Sequence, residues 1–427
     1  MGYLLAIAKN CSHFMPKQLQ QIFLTTRNIV STNKNYLKNI FLFIYVVCIM
    51  LFALHAFKRQ EYNWDMLPYM SIILSYDNNN LNFVHDTIYK IIKEQASVAN
   101  YKLLTDGGLK MRKLSAENAS YFKQQLPFYT VKPLYTKLAY FLYKAGIPLT
   151  EATVLLSVIS YFFIGLFIFY WLKKYMNLFL VLPSCLLIML CRPVYSVADI
   201  STPDCLSALF LLAAFYCLIE KKSVIAICIF LILSIFTRID NIIPGAYIIL
   251  LITLTNKWKE KISFKKCSFI LMAMCISYFL ITYNVREYGW NIFYYPSFLS
   301  HLNKAYDSHL SFSFSNYFLV AKSQIMSGLF FSDLILFLLL GLMLFIDRAS
   351  IQRDFLNFEQ LLIIVLILII FTRFILQPII SDRFYIAYYI SILVLVIKKI
   401  GSQNVFPATS NIGLGNPPGA KSDLFIQ

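Results

Sequence analysis

Long runs without a single Asp, Glu, Lys or Arg recur along the chain, and they limit its possible folds more than any motif does. Eight such runs occupy 40–57, 152–172, 177–191, 205–219, 223–237, 241–256, 267–285 and 384–397. Two more hold one charge each, at 326–346 around Asp333 and at 360–380 around Arg373. A helix needs about 20 mostly apolar residues to cross a bilayer, and flanking residues extend the shorter runs. The pattern predicts an all-α polytopic integral membrane helix bundle of about ten spans.

Composition excludes an ordinary soluble domain. Hydrophobic residues make up 59% of the chain and charged residues 14%, against about 25% charged in typical globular proteins. Several of the nine cysteines lie inside apolar runs, and no CxxC or Cys/His spacing suggests a metal site. The sequence therefore predicts no disulfide framework, no metal site and no cofactor.

The positive charge of the chain indicates membrane topology. A formal charge of +17 can mark a nucleic-acid-binding protein, but here the cations are divided among short segments between apolar runs. Residues 1–38 hold five Lys or Arg and no acid, and the predicted inner loops hold thirteen against six in the short outer segments. By the positive-inside rule, both termini are predicted to be cytoplasmic, in the inner membrane, with no nucleic-acid partner.

The predicted organisation has three parts. They are a basic cytoplasmic segment at 1–38, a transmembrane domain at 39–399, and a mobile cytoplasmic tail at 400–427 that is rich in Gly, Pro, Ser and Asn. A long amphipathic outer loop, 58–147, follows the first span. Within this loop, an apolar stretch at 71–76 is predicted to lie in the membrane interface, and 133–144 to form a helix along the membrane. We expect the loop to cover the outer ends of the spans.

Charged residues near the predicted outer face are the candidates for function. Asp65, Asp204 and Asp240 lie close to that face, together with Arg238 and Arg383. Charges so close to hydrocarbon are costly unless they are paired or solvated. Asp65 lies eight residues after the first apolar run and next to Trp64. It is either a carboxylate that takes a proton from an acceptor or a solvated loop acid.

Each of the other charged candidates also has a local explanation. Asp204 follows Ser-Thr-Pro, which is typical of a helix start where an acid is favoured by the helix dipole. Arg238 either pairs with Asp240 across a tight turn or binds a phosphate group. Arg383 is a phosphate ligand with Tyr385 nearby, or an arginine of an aromatic belt.

Five segments between 39 and 397 form a recognisable series. They are Trp64-Asp65-Met66, Leu126-Pro127-Phe128-Tyr129 with Lys132-Pro133-Leu134-Tyr135, Thr202-Pro203-Asp204-Cys205-Leu206-Ser207-Ala208-Leu209, Phe236-Thr237-Arg238-Ile239-Asp240-Asn241, and Ser381-Asp382-Arg383-Phe384-Tyr385. Their order and spacing resemble the GT-C superfamily, membrane glycosyltransferases that use polyprenyl- or dolichyl-phosphate sugars. Only one acid closely follows the first span, whereas several branches of the family have an adjacent acidic pair.

The resemblance implies inverting transfer of a sugar from a polyprenyl-phosphate donor to a lipid or glycan acceptor on the outer face. Asp65 is then the catalytic base. Arg383 and Arg238 offset charge on the leaving phosphate, without a redox cofactor. The other substrate-binding residues that the resemblance implies are Lys132, Tyr135, Asp204, Asp240 and Tyr385.

Two alternative functions fit a chain of this composition. An O-antigen polymerase- or ligase-like enzyme is also polytopic and relies on arginines, but its large loop more often comes late in the chain. The other alternative is a lipid or solute transporter, which internal repeats and charges at mid-membrane would favour. The sequence has no evident repeat, and most candidate charges collect at one face.

Overall fold

The computed structural model describes residues 34–220, 223–254, 264–289, 313–331, 333–343 and 358–402. Within these ranges the fold is all-helical, and pairing of extended backbone is limited to one bridge between Glu61 and Ile200. The predicted fold class is thus confirmed as all-α. Most of the predicted segments 1–38, 257–266, 286–322 and 400–427 lies outside the described residues.

The helices are numbered here in chain order. They are α1 (Lys34–Lys58), α2 (Met66–Ser75), α3 (Leu81–Gln95), α4 (Val98–Thr105), α5 (Lys110–Glu117), α6 (Ala119–Lys123), α7 (Pro127–Thr130), α8 (Pro133–Lys144), α9 (Leu149–Leu172), α10 (Leu178–Leu190), α11 (Arg192–Tyr195), α12 (Asp204–Ile219), α13 (Val224–Thr237), α14 (Ile242–Leu254), α15 (Phe264–Thr282), α16 (Phe314–Phe331), α17 (Leu334–Met343), α18 (Phe358–Leu376) and α19 (Ile386–Ser402). Short 3₁₀ helices cover Ile239–Asn241, Tyr283–Tyr288 and Asp382–Phe384.

Four of the described helices are long and apolar enough to cross a membrane. They cover Asn39–Lys58, Leu149–Leu172, Phe264–Tyr288 and Phe358–Leu376. Only 22% of the most apolar stretch is buried in the first and third of these, so their apolar side chains face outward. This composition indicates a membrane protein. Shorter apolar helices such as α10, α12 and α13 fall below the usual crossing length, and the count of ten spans stays a prediction.

The sequence predicted one continuous span at 326–346, and this prediction is wrong for the residues that the structure describes. Helix α16 ends at Phe331 and α17 begins at Leu334. Residues 344–346 lie outside the described residues. The backbone N–H of Asp333 donates to both carboxylate oxygens of Asp382, at 3.1 and 3.2 Å. Asp382 thereby binds the amino end of α17, which accounts for a new helix starting there.

The main bundle packs closely around α9. A Cβ at Gly165 would lie 3.0 Å from Ile49 Cγ2, so the glycine allows α1 to approach α9. The hydroxyl of Tyr45 donates to the Gly165 carbonyl at 2.8 Å, and that of Tyr161 to Met189 O at 2.8 Å. These bonds satisfy buried polar groups inside an apolar interior.

The predicted outer loop is a helical subdomain with a core of its own. Tyr69, Phe122 and Tyr135 are fully buried in it. The expectation that 71–76 lies in a membrane interface is wrong for most of the stretch, because Ser71 to Leu74 are buried in this core. Helix α8 begins and ends where the sequence predicted it.

Candidate functional site

The candidate charges lie at helix boundaries on one end of the bundle. Asp65 directly precedes α2, Asp204 is the first residue of α12, and Asp240 is in the 3₁₀ turn after α13. Arg238 directly follows α13, and Arg383 lies in the 3₁₀ turn before α19. Because α12 leads away from this end and α13 returns to it, residues far apart in sequence meet here. Tertiary packing thus assembles the cluster from several separate turns.

Asp65 is held by two donors from distant parts of the chain. Its carboxylate makes no capping bond to α2. The Tyr129 hydroxyl donates to Oδ1 at 2.8 Å, and Arg383 Nη1 donates to Oδ2 at 2.9 Å. Burial raises the pKa of Asp65, but Arg383, Lys132 and the Tyr129 hydrogen bond outweigh it and bring the pKa below its usual value. Asp65 is therefore a carboxylate at neutral pH, with 22% of its side chain exposed.

Arg238 and Asp240 form the ion pair that the sequence offered as one of two alternatives. Arg238 Nε donates to Asp240 Oδ1 at 3.0 Å and Nη2 donates to Oδ2 at 3.1 Å. Nη1 of the same guanidinium donates to Asp204, whose side chain is only 2% exposed. Arg383 approaches the other oxygen of Asp204 at 3.5 Å. The pairing is confirmed, whereas phosphate binding by Arg238 stays a prediction.

Arg373 belongs to this cluster, although the sequence presented it as an isolated charge within a span. Its Nη2 lies 2.7 Å from Asp240 Oδ2, and its Nη1 donates to Phe384 O at 3.1 Å. The α18 run is apolar on all sides, so its sequence does not indicate which face turns inward. A charge inside an apolar span was the available signal, since such a charge requires a partner.

The aromatic ring of Phe384 packs against three guanidinium groups. The guanidinium carbons (Cζ) of Arg373, Arg238 and Arg383 lie 4.2, 4.4 and 4.9 Å from the centroid of this ring. Guanidiniums are attracted to the faces of aromatic rings. The ring therefore helps to hold three like charges close together.

A cavity of about 420 Å³ opens beside the cluster, which is within the usual range for small-molecule sites. Six of the eight predicted site residues line it: Asp65, Lys132, Asp204, Arg238, Asp240 and Arg383. The sequence did not identify Trp64, Arg112, Tyr129 and Phe384 as functional residues, yet they also form the wall. The cavity thus combines charged groups with aromatic surfaces.

Two predicted substrate-binding residues are not on the cavity wall. Tyr135 is fully buried, and its hydroxyl donates to Thr153 O at 2.8 Å. Its ring packs edge-on against Tyr69, which does line the cavity. The Tyr385 side chain is also buried, with its hydroxyl 3.4 Å from Ile379 O. The hydroxyl groups of both tyrosines are thus bound to backbone carbonyls. The two side chains pack behind residues that line the cavity.

Lys132 reaches the cavity with an ammonium that titrates near neutral pH. Its Nζ donates to Phe128 O at 3.0 Å and lies 4.7 Å from the Tyr129 ring centroid. Burial, the largest cause, and the charge of Arg238 lower the pKa of Lys132 to about 7, against the opposite effect of the nearby carboxylates. An anion in the cavity would favour its charged form.

The described residues contain no group of three or more His, Cys, Asp or Glu side chains placed to hold a metal ion. Among known proteins, no family model, curated protein or solved structure matches this chain.

Proposed function

We propose that this protein is a membrane glycosyltransferase of the GT-C type. In this proposal it transfers a sugar from a polyprenyl-phosphate donor to an acceptor on the outer face of the cytoplasmic membrane, and its apolar helices form about ten spans. The observation that carries the proposal is the position of Asp65. An ionised carboxylate lies on the wall of a cavity whose other charged groups include Arg383 and Lys132.

The proposed step forms one bond and breaks one. The acceptor hydroxyl gives its proton to the Asp65 carboxylate, and its oxygen attacks the anomeric carbon of the sugar. The bond from that carbon to the phosphate oxygen breaks, and the polyprenyl phosphate leaves with the bonding electrons. Each oxygen of Asp65 accepts one hydrogen bond in the structure, so each keeps lone-pair capacity for the incoming proton.

The arginines would offset charge on the leaving phosphate. Fixed cations that face the developing charge stabilise a transition state without reorganising. Arg383 is suited to this role because it already joins Asp65 and Asp204, and its side chain is 32% exposed. A donor phosphate that shares the Arg383 guanidinium would loosen its hold on Asp65. The basicity of Asp65 would then rise when the donor is bound.

The test is loss of transfer in Asp65→Asn. Full-length protein is reconstituted in liposomes that contain a polyprenyl-phosphate-linked labelled sugar and membrane-derived acceptors. Asparagine keeps the size of the side chain but cannot take the proton, so transfer is expected to fall by about 10²- to 10⁴-fold. The matched control is Asp77→Asn, which changes a carboxylate of the same subdomain that pairs with Lys144 outside the cavity.

Three outcomes contradict the proposal. Undiminished transfer by Asp65→Asn would remove Asp65 as the base. Absence of any sugar product from the wild-type protein would favour a transporter. A loss of transfer that matches a loss of folded protein would point to a structural role, so protein level and thermal stability are measured for every variant.

A further inference from the structure

The ion pairs around the cavity cancel one another. Each arginine of the cluster contacts one or two aspartates. The pairs are Arg238 with Asp204 and Asp240, Arg373 with Asp240, and Arg383 with Asp65 and Asp204. Three guanidiniums thus face three carboxylates, and this cluster has no net charge when all are ionised.

Two further cations line the cavity outside that balanced set, Arg112 and Lys132. In the part of the chain that the structure describes, neither makes an ion pair with a carboxylate. Arg112 Nη1 donates to Leu103 O at 2.6 Å, and Lys132 Nζ donates to Phe128 O at 3.0 Å. Their bonds to the protein are thus made to neutral carbonyls. The cavity therefore holds a surplus of up to two positive charges.

The backbone holds the Arg112 guanidinium at the cavity wall. Its carbon lies 5.7 Å from the centroid of the Trp64 ring. Gly107, at φ +52°, makes room for it, because a Cβ there would lie 2.7 Å from Arg112 Nη1 and 2.6 Å from Leu103 O. A guanidinium has five N–H donors, and the bond to Leu103 O uses one of them. Because Arg112 lines the cavity, its terminal nitrogens can also donate to an anion there.

From this arrangement we infer that Arg112 is a phosphate-binding residue, and that it acts with Lys132 on a single phosphate group. The inference rests on the proposed function for the identity of the ligand, the donor phosphate. Arg112, Lys132 and Asp65 line the same cavity, so a phosphate held by the two cations would share that cavity with the proposed base. A phosphodiester has one negative charge, and the monoester left after transfer has about −1.5 to −2 at pH 7. A surplus of up to two positive charges balances one phosphate monoester and falls short of a diphosphate monoester such as farnesyl diphosphate.

The experiment measures binding of farnesyl phosphate to the full-length protein in detergent. Farnesol tests for binding of the apolar chain alone, and farnesyl diphosphate tests for a second phosphate. Replacing Arg112 by Gln removes one charged hydrogen-bond donor, which is expected to weaken farnesyl phosphate binding by about tenfold to a hundredfold. Lys132→Gln is expected to act in the same direction, and Arg112→Lys to keep part of the affinity because the charge remains.

Lys113→Gln is the matched control. Lys113 follows Arg112 on α5, is exposed, and does not line the cavity. We expect Lys113→Gln to bind farnesyl phosphate like the wild type. The affinity for farnesol should be unchanged in all variants. Farnesyl diphosphate should bind no more tightly than farnesyl phosphate.

Several results would overturn the inference. They are wild-type affinity in Arg112→Gln, an equal loss in Lys113→Gln, a parallel loss for farnesol, tighter binding of the diphosphate, or no binding of farnesyl phosphate by the wild type. Sugar transfer is measured separately. A wild type that binds farnesyl phosphate through Arg112 but transfers no sugar would contradict the proposed function and leave the phosphate site standing.

Discussion

Asp240 is expected to be the charge that holds the arginine cluster together. It accepts two hydrogen bonds from Arg238, at 3.0 and 3.1 Å, and faces Arg373 Nη2 at 2.7 Å, with 8% of the residue exposed. In Asp240→Asn, two buried guanidiniums lose their shared counter-charge. Breaking a buried ion pair from one side costs about 3–5 kcal/mol. Because asparagine still accepts a hydrogen bond, we expect a loss near the lower end of that range.

Unfolding of the full-length protein by SDS titration, followed by circular dichroism, measures this loss. Adding Arg373→Met removes one uncompensated cation and keeps an unbranched side chain. The double variant should therefore recover at least about 1 kcal/mol relative to Asp240→Asn alone. The comparison is Asp77→Asn, whose pair with Lys144 is partly exposed and should contribute far less, because solvent screens the two charges. Equal losses in Asp240→Asn and Asp77→Asn, or no recovery in the double variant, would refute the charge-balance reasoning.

Two further predictions concern the cations. The transfer rate of Arg383→Ala should be about tenfold or more below that of Arg383→Lys, because lysine keeps the charge and loses only the planar fork. Wild-type transfer rates in both variants would show that Arg383 does not bind the phosphate. Farnesyl phosphate affinity should fall by up to about tenfold per pH unit above pH 7, because Lys132, with a pKa of about 7, loses the proton that the anion requires. The charged groups that act on this ammonium are Asp65, Asp240, Arg238 and Arg383. A titration from pH 7 to 9 should show this slope in the wild type and a flat profile in Lys132→Arg, and a flat wild-type profile would contradict the reasoning.

Local patterns predicted many of the helices, but not the break between α16 and α17. Runs without charge predicted the helices of the bundle, and α8 lies at the predicted bounds, because length, proline and apolar spacing act within one segment. The Ser-Thr-Pro sequence predicted a helix start with Asp204 in its first turn, and Asp204 does lie in the first turn of α12. The stretch at 71–76 failed, because an apolar segment packs equally well against lipid and against a protein core. Only its surroundings in the fold distinguish the two.

By itself the sequence indicated an all-helical fold with membrane-type helices, and it placed the candidate acids Asp65, Asp204 and Asp240 near helix boundaries. Those are consequences of hydrophobicity and helix geometry, which neighbouring residues fix. The tertiary structure decided which charges meet. Asp65 and Arg383 pair across 318 positions, and Arg373 turns toward Asp240 from a helix whose sequence is apolar on every side. Arg112 reaches the cavity only because Gly107 makes room for its guanidinium. Ion pairs act over a few ångströms in space, so their partners depend on how the helices pack and not on their spacing along the chain.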